Sequence, residues 1–150
     1  TVDGDVLVAG GEEGGELLTE DTYSSFEFRT YFKAEDGANG GVFYRLAERA
    51  EQPDDYEIQI YNVPTATNPT GSIYGIEPAE DAGCRNGEWC LLRLISDGAY
   101  TRVLVNGETV VEKNGLALPD SGRIGLQNHS SAEIRYRDVR LKELPNGVTR

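Results

Sequence analysis

The run Tyr56-Glu57-Ile58-Gln59-Ile60-Tyr61 alternates without a break. An extended chain therefore puts Tyr56, Ile58 and Ile60 on one side and Glu57, Gln59 and Tyr61 on the other. The first side reads as core. The second carries a carboxylate, an amide and a phenol in the middle of a strand, and a polar ligand of about sugar size would account for it. The same period of two recurs at 24–33, where Phe26, Phe28 and Phe32 oppose Glu27, Arg29, Tyr31 and Lys33. It recurs at 42–47, where Val42, Tyr44 and Leu46 oppose Phe43, Arg45 and Ala47, and at 122–129, where Leu126 opposes Gln127 and His129. Further extended segments are predicted at 5–9, 16–19, 72–76, 89–95, 100–105, 109–112 and 133–144.

Turn chemistry separates these segments. Asn106-Gly107 marks a hairpin, Pro64 and Pro69 mark an irregular loop, and residues 35–41 and the acidic stretch 48–55 interrupt the pattern. Gly10-Gly11-Glu12-Glu13-Gly14-Gly15 lacks the Gly-Lys-Ser/Thr ending of a phosphate loop and reads as a connection. No window shows a sustained 3.6 period. Residues 1–150 thus predict one all-β domain, with about ten antiparallel strands stacked as a two-sheet β-sandwich.

Charge narrows the partners. The chain holds 26 acidic and 14 basic side chains, for a net charge of −12. No basic stripe runs along the sequence, which argues against nucleic acid and anionic membrane surfaces. No apolar run reaches the roughly 18 residues of a membrane span, so no membrane insertion is predicted. Cys84 and Cys90 flank a plausible turn at Arg85-Asn86-Gly87-Glu88. They read either as a disulfide formed in an oxidising compartment or as two free thiols.

The unusual polar residues are candidates for chemistry. Arg45, Glu57, Gln59, Gln127 and His129 oppose core positions on three strands, and a shared sheet would bring them to one face. Planar donors and acceptors of this kind pair with vicinal hydroxyls, while Phe43, Tyr61 or Tyr74 stacks on a sugar ring. Glu57 is the leading carboxylate and His129 the one histidine able to move a proton near neutral pH. Asp55 is a weaker candidate. No second carboxylate stands at an obviously paired position, so the two-carboxylate machinery of ordinary glycoside hydrolysis is not evident. Gly-x-Ser-x-Gly is absent. Trp89 is expected to anchor the core, with a ligand platform as the alternative, and Asn128-His129-Ser130 fits the N-glycosylation acceptor pattern.

In chain order, Asn39-Gly40-Gly41-Val42-Phe43-Tyr44-Arg45, Tyr56-Glu57-Ile58-Gln59-Ile60, Thr70-Gly71-Ser72-Ile73-Tyr74 and Gly87-Glu88-Trp89 precede Val105-Asn106-Gly107 and Ile124-Gly125-Leu126-Gln127-Asn128-His129. Tyr136-Arg137-Asp138-Val139-Arg140-Leu141-Lys142-Glu143-Leu144 closes the series. This string resembles the 3-keto-disaccharide hydrolase domain family over nearly the whole chain. Two positions depart from the family pattern: Cys90 stands where Asn usually follows the Trp, and Gly40 where Ser is common.

The resemblance implies a concanavalin A-like jelly roll with a concave ligand-binding face. It implies cleavage of 3-keto-glycosides or 3-keto-disaccharides by C2 deprotonation, elimination and hydration. Glu57 and His129 would share the base and acid roles. Arg45, with Gln59 or Gln127, would polarise the ketone, and Asn128 would join the substrate contacts. A divalent metal on Glu57 and His129 is the alternative electrophile. Family members imply a secreted, periplasmic or cell-surface bacterial protein. The rival reading keeps the fold and the face without turnover: a non-catalytic carbohydrate-binding module of a larger secreted protein.

Overall fold

The computed structural model describes residues 1–12, 14–47 and 56–145. The strands are β1 (Val2–Asp3), β2 (Val6–Ala9), β3 (Gly15–Leu18), β4 (Phe26–Ala34), β5 (Gly40–Leu46) and β6 (Tyr56–Ile60), followed by β7 (Cys90–Asp97), β8 (Tyr100–Val105), β9 (Glu108–Lys113), β10 (Arg123–Asn128) and β11 (Ile134–Glu143). They form two antiparallel sheets, a seven-stranded one ordered β1-β2-β11-β4-β7-β8-β9 and a four-stranded one ordered β3-β10-β5-β6. The protein is the all-β sandwich that its alternation predicts. Among the described residues no helix is long and apolar enough to cross a membrane.

The core lies between the sheets. Alternate residues of β4 (Phe26, Phe28, Thr30, Phe32, Ala34) are buried while those between them are half-exposed, as expected for a strand with one face on the core. Leu92 and Leu94 of β7 and Val103 and Val105 of β8 complete one wall; Val42, Tyr44, Ile58, Ile60 and Leu126 form the other. The Tyr44 hydroxyl lies 3.0 Å from Thr101 Oγ1 on β8, which ties the two sheets through a buried hydrogen bond. Residues 71–74 extend the smaller sheet beyond β6. Gln59 N donates to Ser72 O and Tyr74 N to Glu57 O, each at 2.9 Å, so the predicted 72–76 segment pairs only briefly.

Besides a register shift between Val103 and Leu104 where β8 pairs with β9, two bulges interrupt the alternation. One lies between Arg123 and Gly125, opposite β5, where Arg45 adopts φ 54°. The other lies between Arg137 and Arg140, where Asp138 adopts φ 51°. A bulge adds a residue to one strand and re-aims the side chains around it. Trp89 corrects an expectation of a different kind. Cys90, Leu92 and Leu94 occupy the inward positions of β7, so Trp89 stands on the outer face, with its ring centre 4.1 Å from the Arg137 guanidinium carbon.

Cys84 and Cys90 form a disulfide with their Cα atoms 6.2 Å apart, and both are buried. The bridge closes the turn that feeds β7. A loop of this length limits the unfolded chain by about 2 kcal/mol. Replacing both cysteines by serine should lower the unfolding free energy in urea by roughly that amount. An unchanged midpoint would show that the core alone holds the turn.

Candidate functional site

β5, β6 and β10 are neighbours, and their register fixes which side chains share the outer face of the four-stranded sheet. Gly125, Phe43 and Glu57 form one row, with Leu18 of β3 beside Gly125. The next row is Glu16, Gln127, Gly41 and Gln59. Beyond it the His129 amide donates to Asn39 O at 2.8 Å, which places His129 beside Asn39. The same pairing continued past β6 brings Tyr61 level with Asn39. Tyr74, 54% exposed, lies on the strip that pairs with Glu57.

Gly41 makes room for the central group. A side chain at this position would overlap the Glu57 carboxylate and approach Ile58 O to 2.7 Å, so Glu57 lies over the sheet where a neighbouring residue would otherwise stand. Burial raises its pKa to about 7, and the nearby Glu16 carboxylate adds to the rise. Glu57 is therefore divided between acid and base near neutral pH, a suitable state for a group that must take up and return a proton. In one orientation of the Gln59 amide its nitrogen donates to Asn39 Oδ1 at 3.2 Å. A half-turn of that amide points the nitrogen at Glu57 Oε1 and Gly40 O, each at 3.2 Å.

The outer face thus collects Glu57, Gln59, Gln127, Phe43, Tyr74, Tyr61 and His129. It does not collect Arg45. Next to the bulge, Arg45 is buried with 3% exposure and donates through Nη1 to Pro119 O at 2.7 Å. Its Nε and Nη2 are buried without partners. Burial lowers its pKa, opposed by Tyr44, Asp97 and Asp120. Asn128 also turns away, because it shares the inward side of β10 with Ile124 and Leu126. Its Nδ2 donates to Ala9 O at 2.7 Å and to Ala132 O at 2.9 Å, and its Oδ1 accepts from Ser130 N at 3.0 Å. Asn128 joins the ends of three segments, and in the folded state its amide is not presented as a glycan acceptor.

His129 stands apart from Glu57. The two are separated by two strand spacings and four residues of register, about 16 Å between Cα atoms, so they do not form a direct proton pair. Among the described residues no group of three or more His, Cys, Asp or Glu side chains is placed to hold a metal ion. Asp55 lies outside the described residues. Glu16 and Asn39 are additions to the face: Glu16 comes from an exposed four-residue edge strand, and only the β3–β10 pairing brings it beside Gln127.

A two-sheet sandwich with a row of amides, a partly buried carboxylate and aromatic rings on one outer face belongs to the carbohydrate-associated jelly rolls. Within that class the chain belongs to the 3-keto-alpha-glucoside-1,2-lyase-like domain family, whose profile matches residues 1–142. Two solved structures from Parabacteroides distasonis ATCC 8503, each provisionally named a glycosyl hydrolase, share the fold. One is 27% identical with a TM-score of 0.80, covering 95% of this chain and 88% of that one. The other is 18% identical with a TM-score of 0.82, covering 97% and 83%. The carbohydrate binding module CBM66 from Bacillus subtilis is 13% identical with a TM-score of 0.67, covering 91% and 86%. No curated protein sequence matches significantly.

Glu57 makes stability depend on pH. Between about pH 4.5 and pH 7 the folded chain keeps a proton that the unfolded chain has released, so stability falls as pH rises through this window. Glu57→Gln should therefore melt at a higher temperature than the parent at pH 8. The difference should close below about pH 4.5, where the Glu57 carboxyl is protonated in the folded and the unfolded chain alike. Parallel melting curves from pH 4 to 8 would contradict the raised pKa.

Proposed function

We propose that the domain cleaves 3-keto-glycosides by elimination, with Glu57 as the base that removes the C2 proton. The observation that supports this most directly is a carboxylate raised to about pH 7 on a sheet face lined with amides. A ketone at C3 acidifies the neighbouring C2 hydrogen. Glu57 takes that proton, the C2–H electrons form the enolate, and the enolate expels the C1 oxygen with its electron pair. In an α-glucoside the C1–O bond and the C2–H bond point to opposite faces of the ring. With C2–H towards Glu57, the leaving oxygen departs towards solvent and takes its proton from water. The hydroxide left by that water adds at C1 of the new double bond and Glu57 returns its proton to C2, giving the free keto sugar.

Charge on the C3 oxygen needs donors. With Arg45 drawn into the end of the sandwich, we assign this role to Gln127, because Gln59 is 4% exposed and its amide is already engaged by Asn39, Gly40 and Glu57. Tyr74 and Phe43 offer ring surface level with Glu57. His129, at the far end of the face, is assigned to the portion of substrate beyond the reacting sugar. No paired carboxylate is required, since one base serves the elimination. The disulfide fits an oxidising location, and we assign the protein to a secreted, periplasmic or cell-surface setting on that ground.

The alternative is a carbohydrate-binding module that uses the same face without turnover, supported by the fold shared with CBM66. Release of a chromogenic aglycone from a 3-keto-glucoside and from its unoxidised counterpart separates the two readings. The elimination predicts release from the keto substrate alone, with kcat/KM rising as pH increases through about 7. Glu57→Gln should lower kcat by about 100-fold or more while leaving binding nearly unchanged. No release from the keto substrate between pH 5 and 9, with binding intact, would leave the binding module.

A further inference from the structure

The outer face of the seven-stranded sheet, across the core from Glu57, gathers cations that are scattered in the sequence. β11 presents Arg135, Arg137 and, past its bulge, Arg140; β4 presents Lys33 and Arg29; β7 presents Arg93. Arg135 lies directly opposite Lys33, and Arg29 lies opposite both Arg140 and Arg93. Directly opposed like charges weaken a sheet, and this occurs in a chain with 26 acidic side chains.

Around Arg29 the repulsion is offset locally. Asp138 accepts from Arg29 at 3.2 Å and from Arg140 at 2.5 Å, and Glu27 accepts from Arg93 at 3.0 and 2.6 Å. Arg135 has Glu133 at 3.0 Å. Lys33 and Arg137 are different: among the described residues neither forms an ion pair. The Arg137 guanidinium lies 4.1 Å from the Trp89 ring centre and 5.4 Å from that of Tyr31, with Lys33 Nζ 5.1 Å from Trp89. The ring contacts anchor the guanidinium, and among the described residues its N–H groups donate to no side chain or backbone oxygen. A guanidinium edge captures a carboxylate or sulfate through two parallel hydrogen bonds.

We propose that Arg137 and Lys33, held by Trp89, form a second ligand site for an acidic glycan, a polysaccharide bearing carboxylate or sulfate groups. Lys33 and Arg29 lie four residues apart on β4, about 13 Å, so the cations continue along the strands. That arrangement suits a linear polyanion better than a single small ion. The remainder of the surface carries the excess of acids and repels a stiff, wide duplex. A slender glycan chain can follow the sheet without meeting it. The site is independent of the chemistry assigned to Glu57.

Affinity electrophoresis of the intact chain through gels containing polygalacturonate, dextran sulfate or dextran tests the site. The first two polymers separate carboxylate from sulfate recognition. Retardation is expected with at least one polyanion and not with neutral dextran. Arg137→Gln and Lys33→Gln should each raise the dissociation constant several-fold, and the pair together by about tenfold or more. Lys113→Gln, the same charge change on an edge strand, should have no such effect, and circular dichroism would verify that every variant is folded. No retardation by either polyanion would overturn the proposal. So would equal loss with Lys113→Gln, equal retardation by dextran, or tighter binding of duplex DNA than of either polyanion.

Discussion

The burial of the Glu57 carboxylate beside Gly41 sets the terms for the rest of the smaller sheet. A carboxylate can occupy that position only because β5 carries no side chain there. It stays partly dry because Phe43 flanks it in the same row with 8% exposure. The desolvation raises its pKa and makes its proton transferable at neutral pH. Glu16, across β10, pushes in the same direction. One missing side chain thus links strand register to acid–base behaviour.

That register is held from beneath. Val42, Ile58 and Ile60 carry β5 and β6 against the larger sheet, and the Tyr44–Thr101 hydrogen bond adds a directional contact between the two sheets. A slip of one residue would exchange the two faces of a strand, sending Glu57 and Gln59 into the core. The apolar side of the alternation therefore fixes where the polar side points. Stability and site geometry here share one cause.

Much of this was legible in the chain. The period of two placed Glu57, Gln59 and Gln127 opposite core positions, and two stacked antiparallel sheets followed from strand number and turn chemistry. Arg45 escaped the pattern because alternation holds only in regular strand, and a bulge with a left-handed residue lies at that point. Asn128 did not escape it: the alternation that turns Gln127 outward turns Asn128 inward, and its proximity to motif residues concealed this. Trp89 follows the same logic on β7, one position before the buried Cys90. Glu16, Asn39 and the cation face of the larger sheet depend on which strands become neighbours, and local patterning carries no information about that.

The most direct measurement of the central claim follows the C2 hydrogen itself. A 3-keto-glucoside with a poor leaving group, incubated with the protein in deuterated water, can be monitored by proton NMR. If Glu57 abstracts the C2 proton, the C2 signal should disappear through exchange with solvent at a rate that Glu57→Gln lowers by about 100-fold or more. Retention of the C2 proton throughout aglycone release, or exchange unaffected by Glu57→Gln, would contradict the account.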